Sequence, residues 1–368
     1  MTDDIYRKLA QHLDTIPNGF PSTESGVELR LLQKIFEPEE AAIASVMRLT
    51  YEPAADIAAR AGFDPKIASR VLKGMVRKGQ IRATKGETQL LYRLMPFVVG
   101  IYEEQLPRMD AELAELFEQY FYETRGGGFV STTPAIQRVI PVDEAIPVGV
   151  EVFPYERAVE LIDSAKSWGV RDCICRVQQK LIGKGCDRPI EACLVFAPVE
   201  GVFRGDGPDR PISKEEALQI LRQAKEAGLI HSTGNYRDGH SYICNCCTCC
   251  CGILRSVVEF DIPTSTVSSD FRAVVDVDEC IGCGECVEHC QFKALAVPED
   301  VPSASSGQIC EVDVARCVGC GHCTTVCPTD ALSLKRRSEG ESPLPPADRK
   351  EWLAQRAEAR EIRLDEIV

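Results

Sequence analysis

The first hundred residues alternate between short apolar periodicities and strong stop signals. Ile5, Leu9 and Leu13 recur every four positions and predict a short helix, closed by the turn formers Pro17-Asn18-Gly19 and Pro21-Ser22. A second helix is expected over Gly26 to Phe36. Glu37-Pro38-Glu39-Glu40 opens an apolar stretch through Ala41, Ile43, Val46, Met47 and Leu49, and a short helix follows from Ala54 to Ala61, stopped by Gly62. Asp64-Pro65 then pairs an N-cap with proline at the first helical position. The helix behind it carries Ile67, Val71, Leu72, Met75 and Val76 and stops near Gly79. Ile81–Thr84 and Leu90–Leu94 flank Lys85-Gly86-Glu87 and read as a hairpin. Further on, helices are expected from Asp110 to Tyr122, from Tyr155 to Trp168 with Gly169 as its stop, and after the capping box Ser213-Lys214-Glu215-Glu216. Gly126-Gly127-Gly128 is a loop and not a phosphate cradle, because no Lys-Ser or Lys-Thr follows it. Thr264-Ser265-Thr266 with Ser268-Ser269 reads as a linker, and a last helix is expected after Asp348.

Helix, helix and hairpin over residues 37–95 resemble a winged helix-turn-helix. Charge sharpens that resemblance. Between Asp64 and Glu87 stand seven basic residues (Lys66, Arg70, Lys73, Arg77, Lys78, Arg82 and Lys85) against two acidic ones, a local charge of +5. The chain as a whole carries −14, which leaves −19 elsewhere. Lys66, Arg70, Lys73, Arg77 and Lys78 are therefore candidate phosphate contacts on a recognition helix. The acidic bulk opposes nucleic-acid binding, and DNA is a possible but not the favoured partner.

The 368 residues are 44% hydrophobic and 27% charged, as in soluble globular protein. No apolar run approaches the roughly 20 residues of a membrane span. The start, Met1-Thr2-Asp3-Asp4, has neither the basic nor the apolar part of a secretory signal, so a cytoplasmic, reducing setting is expected. Cysteine changes the picture. All 19 lie between Cys173 and Cys327. An odd number cannot pair completely within one chain, and structural disulfides are rare in reducing compartments, so metal ligation is the stronger reading.

Cys280, Cys283, Cys286 and Cys290 form C-x2-C-x2-C-x3-C, and Cys317, Cys320, Cys323 and Cys327 repeat it 37 positions later. The flanks keep the same offset: Val275 with Val312, Asp276 with Asp313, Gly282 with Gly319, Gly284 with Gly321, Ala294 with Ala331, Leu295 with Leu332. This is an internal duplication. Three thiolates at this spacing sit on one tight loop around a cubane, and the glycines let backbone N–H groups approach its sulfurs. Zinc is the competing occupant, but its sites use two C-x2-C pairs and close at four ligands. The pair resembles a bacterial-type two-[4Fe–4S] ferredoxin over residues 272–335. That resemblance implies a small α+β unit with pseudo-two-fold symmetry, one cluster held by Cys280, Cys283, Cys286 and Cys327, and the other by Cys317, Cys320, Cys323 and Cys290. The second run ends in Cys327-Pro328 as the family does; the first ends in Cys290-Gln291 and lacks the proline. Cys310 falls outside the pattern, in an expected strand, and reads as a buried thiol.

Ten further cysteines lie upstream. Cys173-Ile174-Cys175-Arg176 is followed by Cys186 and Cys193, and residues 244–251 hold six: Cys244, Cys246, Cys247, Cys249, Cys250 and Cys251. Buried thiols without a role and metal-free thiol redox chemistry compete with a third cluster, or a third and a fourth. The chosen ligands are Cys173, Cys186, Cys193 and Cys246 or Cys247, with Cys175 and Cys244 as close competitors. Arg176 is placed to offset cluster charge. His289 and His322 adjoin cluster ligands and read as solvated; His231 and His240 flank the cysteine-rich segment and are not chosen as ligands. The whole resembles multidomain 4Fe–4S-binding proteins of anaerobic bacteria.

The expected fold class is α+β and multidomain. It comprises an N-terminal helical segment (1–36), a winged-helix-like domain (37–95), a cysteine-rich α/β central domain (96–262), the two-cluster ferredoxin-like domain (272–335) and a charged tail (336–368). No G-x-G-x-x-G follows a strand and no P-loop occurs, so no flavin or nicotinamide site is detected. Nor is there a Ser-His-Asp or zinc-protease signature. Clusters without a two-electron organic cofactor suit a relay of single electrons more than a complete reaction on a substrate. The expected function is thus electron transfer to a partner oxidoreductase, a flavoprotein or reductase, and not stand-alone catalysis. The alternatives are a redox-sensing DNA-binding regulator and an oxidoreductase subunit with a substrate-accessible central cluster.

Overall fold

The computed structural model describes residues 2–126, 130–150, 152–205, 207–298, 308–338 and 340–364. Gly127 and Gly128 of the triple-glycine loop lie outside the described residues. The chain divides into two compact units, one formed by Met1–Pro134, Val177–Gly185 and Leu353–Val368, the other by Ala135–Arg176 and Cys186–Trp352. Among the described residues no helix is long and apolar enough to cross a membrane.

The first unit is mostly helical. It contains α1 (Thr2–Asp14), α2 (Val27–Ile35), α3 (Pro38–Ala44), α4 (Ala54–Ala61), α5 (Pro65–Arg77) and α6 (Ala111–Glu123). Three short strands, β1 (Glu52–Pro53), β2 (Ile81–Lys85) and β3 (Leu90–Leu94), form an antiparallel sheet in the order β1-β3-β2. The local signals act as their chemistry requires. Asp64 accepts from Lys66 N and Ile67 N at the start of α5, and Gly62 takes the left-handed conformation that ends α4. Gln80 is wholly buried and donates to Ile35 O and Glu40, which also pairs with Lys78 Nζ at 2.8 Å. Lys78 is thereby engaged within the unit, whereas Lys66, Arg70, Lys73 and Arg77 are exposed along α5. A cluster of Phe20, Phe97, Tyr102, Phe117 and Tyr120 fills the core, with Tyr102 stacked on Phe117. Residues of the C-terminal segment are integral here: Arg356 is fully buried and donates to Thr132 O and Pro134 O.

The second unit is built on a seven-stranded sheet. Its strands are β4 (Gln137–Ile140), β5 (Ser167–Asp172), β6 (Glu191–Ala197), β7 (Arg210–Ile212), β8 (Ile230–Gly234), β9 (Tyr242–Cys246) and β10 (Thr266–Val267), in the order β10-β4-β8-β9-β6-β5-β7. Every pairing is antiparallel except β10 with β4, so the middle region is of the α+β kind and not the α/β kind expected. Helices α7 (Ala158–Asp163) and α9 (Lys214–Glu226) lay Ala158, Leu161, Ile162, Ala217, Ile220 and Leu221 onto Val170, Leu194, Phe196 and Ile243 of the sheet. Helix α8 (Ile174–Leu181) begins in this unit and α10 (Gly252–Glu259) follows the second cysteine run.

Two expectations fail here for tertiary reasons. The helix expected from Tyr155 to Trp168 ends at Asp163, and Trp168 and Gly169 lie inside β5 between β6 and β7. Trp168 donates its indole N–H to Ile162 O, and a Cβ on Gly169 would meet the Phe203 ring at 3.0 Å. Sheet pairing on both edges overrides the helical periodicity. The serine-rich linker is also structure: Ser265 donates to Ile253 O, Thr266–Val267 pair with β4, and Ser269 donates to Gly319 O.

A turn after β4 carries a pH-sensitive group. Asp143 Oδ1 is buried without a hydrogen-bond partner, and desolvation pushes the carboxyl up to about 6 despite Arg157. An acid whose folded pKa lies above its unfolded value stabilises the fold below the unfolded pKa. That contribution is lost as pH rises through the folded value. Asp143→Asn is therefore expected to stabilise the protein by about 1–3 kcal/mol above about pH 7 and by nothing below about pH 4. Thermal midpoints of the two proteins at both pH values, measured without oxygen, check this.

Candidate metal centres

The duplicated cysteine runs fold as two copies of one local structure. Strands β11 (Phe271–Val275) and β14 (Leu332–Arg336) pair antiparallel, as do β12 (Leu295–Ala296) and β13 (Glu311–Val312). Short helices α11 (Glu285–His289) and α12 (His322–Thr325) carry the third cysteine of each run, Cys286 and Cys323. The 37-residue offset reappears in the hydrogen bonds. Asp276 N donates to Ala331 O at 2.7 Å and Asp313 N to Ala294 O at 2.8 Å; Cys280 N donates to Asp276 O and Cys317 N to Asp313 O. Gly282 and Gly319 share φ +67°. A Cβ on Gly319 would stand 2.0 Å from Phe271 O, so no side chain is admitted there.

Two cavities result. One is lined by Cys290, Cys317, Cys320 and Cys323, the other by Cys280, Cys283, Cys286 and Cys327. Each draws three sulfurs from one run and the fourth from the other. Neither lining contains a carboxylate, a lysine or an arginine; His289 and His322 line the first. Backbone amides point at the sulfurs: Ala273 N to Cys317 Sγ at 3.4 Å, Ala294 N to Cys290 Sγ at 3.3 Å, Cys310 N to Cys280 Sγ at 3.4 Å. Burial pushes the Cys320 thiol up to about 12 and raises Cys290, Cys286 and Cys323. Such sulfurs become thiolates when a bound cation supplies the compensating charge. Apolar walls, four thiols and N–H donors fit an iron–sulfur cluster in each cavity. Cys310 is buried at the second cavity and accepts from Cys286 Sγ at 3.5 Å. Cys283 is exposed, which brings that cavity to the surface.

The histidines differ from each other. His289 is exposed, with Nδ1 2.9 Å from Glu285 O. His322 is not solvated as expected: it is buried, with Nε2 3.0 Å from Leu229 O. His231 is buried with Nδ1 2.5 Å from Asn245 Oδ1, and His240 lies 3.0 Å from Thr233 Oγ1.

The ten upstream cysteines meet because β5, β6 and β9 are neighbours. Cys173 follows β5, Cys175 lies in α8, Cys193 in β6, Cys244 and Cys246 on one face of β9, and Cys251 caps α10. These six thiols form a ring of neighbours, each influenced by the two beside it, in the order Cys173, Cys175, Cys251, Cys246, Cys244, Cys193 and back to Cys173. Interaction with both neighbours lowers Cys173, Cys251 and Cys244, the last to about 5, and raises Cys175, Cys246 and Cys193. Gln137 Nε2 donates to Cys244 Sγ at 3.5 Å.

The remaining four make a separate group. Cys186, from the loop after α8, meets Cys247, Cys249 and Cys250, whose ligand atoms all lie within 4.8 Å of one another. Between the two groups sits Arg176, 1% exposed. Its Nη1 reaches Cys247 Sγ at 3.8 Å and Asn245 O at 3.0 Å, while Nε and Nη2 are buried without partners. Burial opposes its charge, but the surrounding cysteine sulfurs, Cys173 foremost, outweigh that and keep it a cation. Of the ligands chosen from sequence, Cys173, Cys175, Cys193, Cys244 and Cys246 fall in the ring, and Cys186 and Cys247 fall in the four-membered group. Cys249, Cys250 and Cys251 were missed, although their adjacency in Cys249-Cys250-Cys251 was a signal.

Gln291, where the first run lacks its proline, accepts from Thr248 N at 3.0 Å and donates to Gly228 O. It ties the ferredoxin-type repeat to the turn that carries Cys247, Cys249 and Cys250. No curated protein and no solved structure matches the chain. Residues 279–331 match the family model described as the 4Fe-4S dicluster domain, and with the two cysteine-lined cavities they constitute an iron–sulfur domain of ferredoxin type.

Proposed function

We propose that the protein relays single electrons through two [4Fe–4S] clusters of the ferredoxin-type domain and a further iron–sulfur centre among the six ring thiols, to or from a partner oxidoreductase. The observation that carries this reading is the pair of cavities, each walled by four cysteines of the two runs, with Cys310 beside them in the second. By it, Cys280, Cys283, Cys286 and Cys327 hold one cluster, and Cys317, Cys320, Cys323 and Cys290 the other. Each cluster, when bound, supplies storage for one electron. The chain does the rest. The amides of Ala273, Ala294 and Cys310 donate to ligand sulfurs and favour the more reduced, more negative state. Exposed Cys283 marks the end at which a partner docks. Buried His322 and Ile230 keep water from the other cavity, which faces the central sheet.

The experiment is anaerobic reconstitution of the full chain, followed by reduction with a low-potential donor and transfer to an acceptor. About eight irons with matching sulfide are expected from the ferredoxin-type domain, and about twelve with the ring centre. Protein without acid-labile sulfide, or clusters that no donor reduces, overturns the reading.

The order β1-β3-β2 beside α3, α4 and α5 supports a winged-helix reading of the N-terminal unit, and four exposed basic residues on α5 support DNA as its ligand. Redox-responsive DNA binding is the second reading. The net charge of −14 ranks it behind electron transfer.

A further inference from the structure

The four-membered thiol group differs from the cluster cavities in its dimensions. Cys186 Sγ lies 3.9 Å from Cys247 Sγ and 3.7 Å from Cys250 Sγ, and Cys250 Sγ lies 3.8 Å from Cys249 Sγ. Four sulfurs at about 2.3 Å from one tetrahedral ion stand about 3.8 Å apart, the edge of that tetrahedron. A cubane places its irons between the thiolates and spreads them farther. The molecule holds its own comparison. Among the described residues this is the one group of three or more metal-binding side chains whose ligand atoms all lie within 4.8 Å. The two ferredoxin-type quartets surround cavities and do not close up in this way.

The surroundings match the charge. A divalent ion with four thiolates carries −2. Arg176 Nη1 approaches Cys247 Sγ at 3.8 Å from the interior, and Arg188 Nη1 approaches Cys249 Sγ at 3.5 Å from the exposed side. Two guanidinium groups balance two negative charges. Cys247 and Cys250 pack among Ala192, Ala224 and Leu229, which shield the site on its inner side. The turn is preformed: Cys250 N and Cys251 N both donate to Cys247 O.

We propose that Cys186, Cys247, Cys249 and Cys250 hold one tetrahedral metal ion of the zinc or iron class, and not an iron–sulfur cubane. Binding exchanges four thiol protons for the ion and changes no oxidation state. Its role is structural: it clamps the loop after α8 to the turn before α10, next to the ring thiols and to Gln291. The proposal stands apart from the electron-transfer reading, because the site needs no sulfide.

The test uses full-length protein purified without oxygen, as wild type and as Cys249→Ser and Cys250→Ser. Iron, zinc and acid-labile sulfide are counted per chain. Expected is one metal ion lost from each variant with sulfide unchanged; loss of zinc or of iron identifies the occupant. X-ray absorption at the zinc edge of the zinc-loaded wild type should show four sulfurs at about 2.3 Å and no neighbouring metal. That measurement does not depend on the variants folding. Loss of about four irons together with about four sulfides would make the site a cubane and overturn the proposal. Equal metal content in wild type and variants, or zinc with nitrogen or oxygen in its shell, would overturn it too. Failure of the electron relay shows separately, as missing sulfide in the wild type.

Discussion

Cys290→Ala is expected to cost the protein one whole cluster, about four irons and four sulfides, and to spare the cluster of the run in which Cys290 stands. Along the chain Cys290 belongs with Cys280, Cys283 and Cys286. In space it lines the cavity of Cys317, Cys320 and Cys323, while Cys327 lines that of the first run. Paired substitutions make the assignment measurable by iron and sulfide counting alone. Cys290→Ala combined with Cys320→Ala should lose no more than either single change, because both empty one cavity. Cys290→Ala combined with Cys283→Ala should lose both clusters. If each run held its own cluster, the two pairs would exchange outcomes. Alanine is preferable to serine because it offers no ligand atom.

Gly319→Ala should be the most damaging change that touches no ligand. Its φ of +67° already disfavours a side chain by about 1–2 kcal/mol. The new Cβ would also lie 2.0 Å from Phe271 O and 2.4 Å from Ser269 Oγ. Neither neighbour can yield cheaply. Phe271 is completely buried at the start of β11, and Ser269 donates through N to Val318 O and through Oγ to Gly319 O. A loss above about 3 kcal/mol follows, together with failure to take up the cluster of Cys317, Cys320 and Cys323. Gly284→Ala is the control. Its φ is +80°, yet nothing lies within 4 Å of its Cβ, so only the conformational cost of about 1 kcal/mol applies. Thermal midpoints and iron content of the two variants, prepared alike, separate steric from conformational cost; equal effects would refute the close approach.

These predictions draw on different depths of information. The paired runs could be read in one dimension because their ligands sit two and three residues apart on loops that local geometry closes. The 37-residue offset then carried over to the hydrogen bonds of Asp276 and Asp313. Helix ends such as Asp64-Pro65 and Gly62 were legible for the same reason, since caps act within one turn. Trp168 was misread as the end of a helix and Gly169 as its stop, because local periodicity cannot register a partner strand on either side. The serines near residue 265 resembled a linker because polar composition does not show that Ser265 and Ser269 bond to buried carbonyls. His322 was read as solvated for want of the Leu229 carbonyl 93 positions away.

By itself, then, the order of residues determined a duplicated ferredoxin-type unit, a reservoir of ten further thiols and helix ends such as those at Gly62 and Asp64, all consequences of chemistry acting over a few residues. Only the tertiary structure decided how those ten divide. Cys186 meets Cys247 across 61 positions, and the six ring thiols converge from Cys173 near β5, α8, β6, β9 and the start of α10 because the sheet sets those elements side by side. The four-membered group forms where the loop of Cys186 meets the turn of Cys247 to Cys250, a meeting that sequence distance does not show.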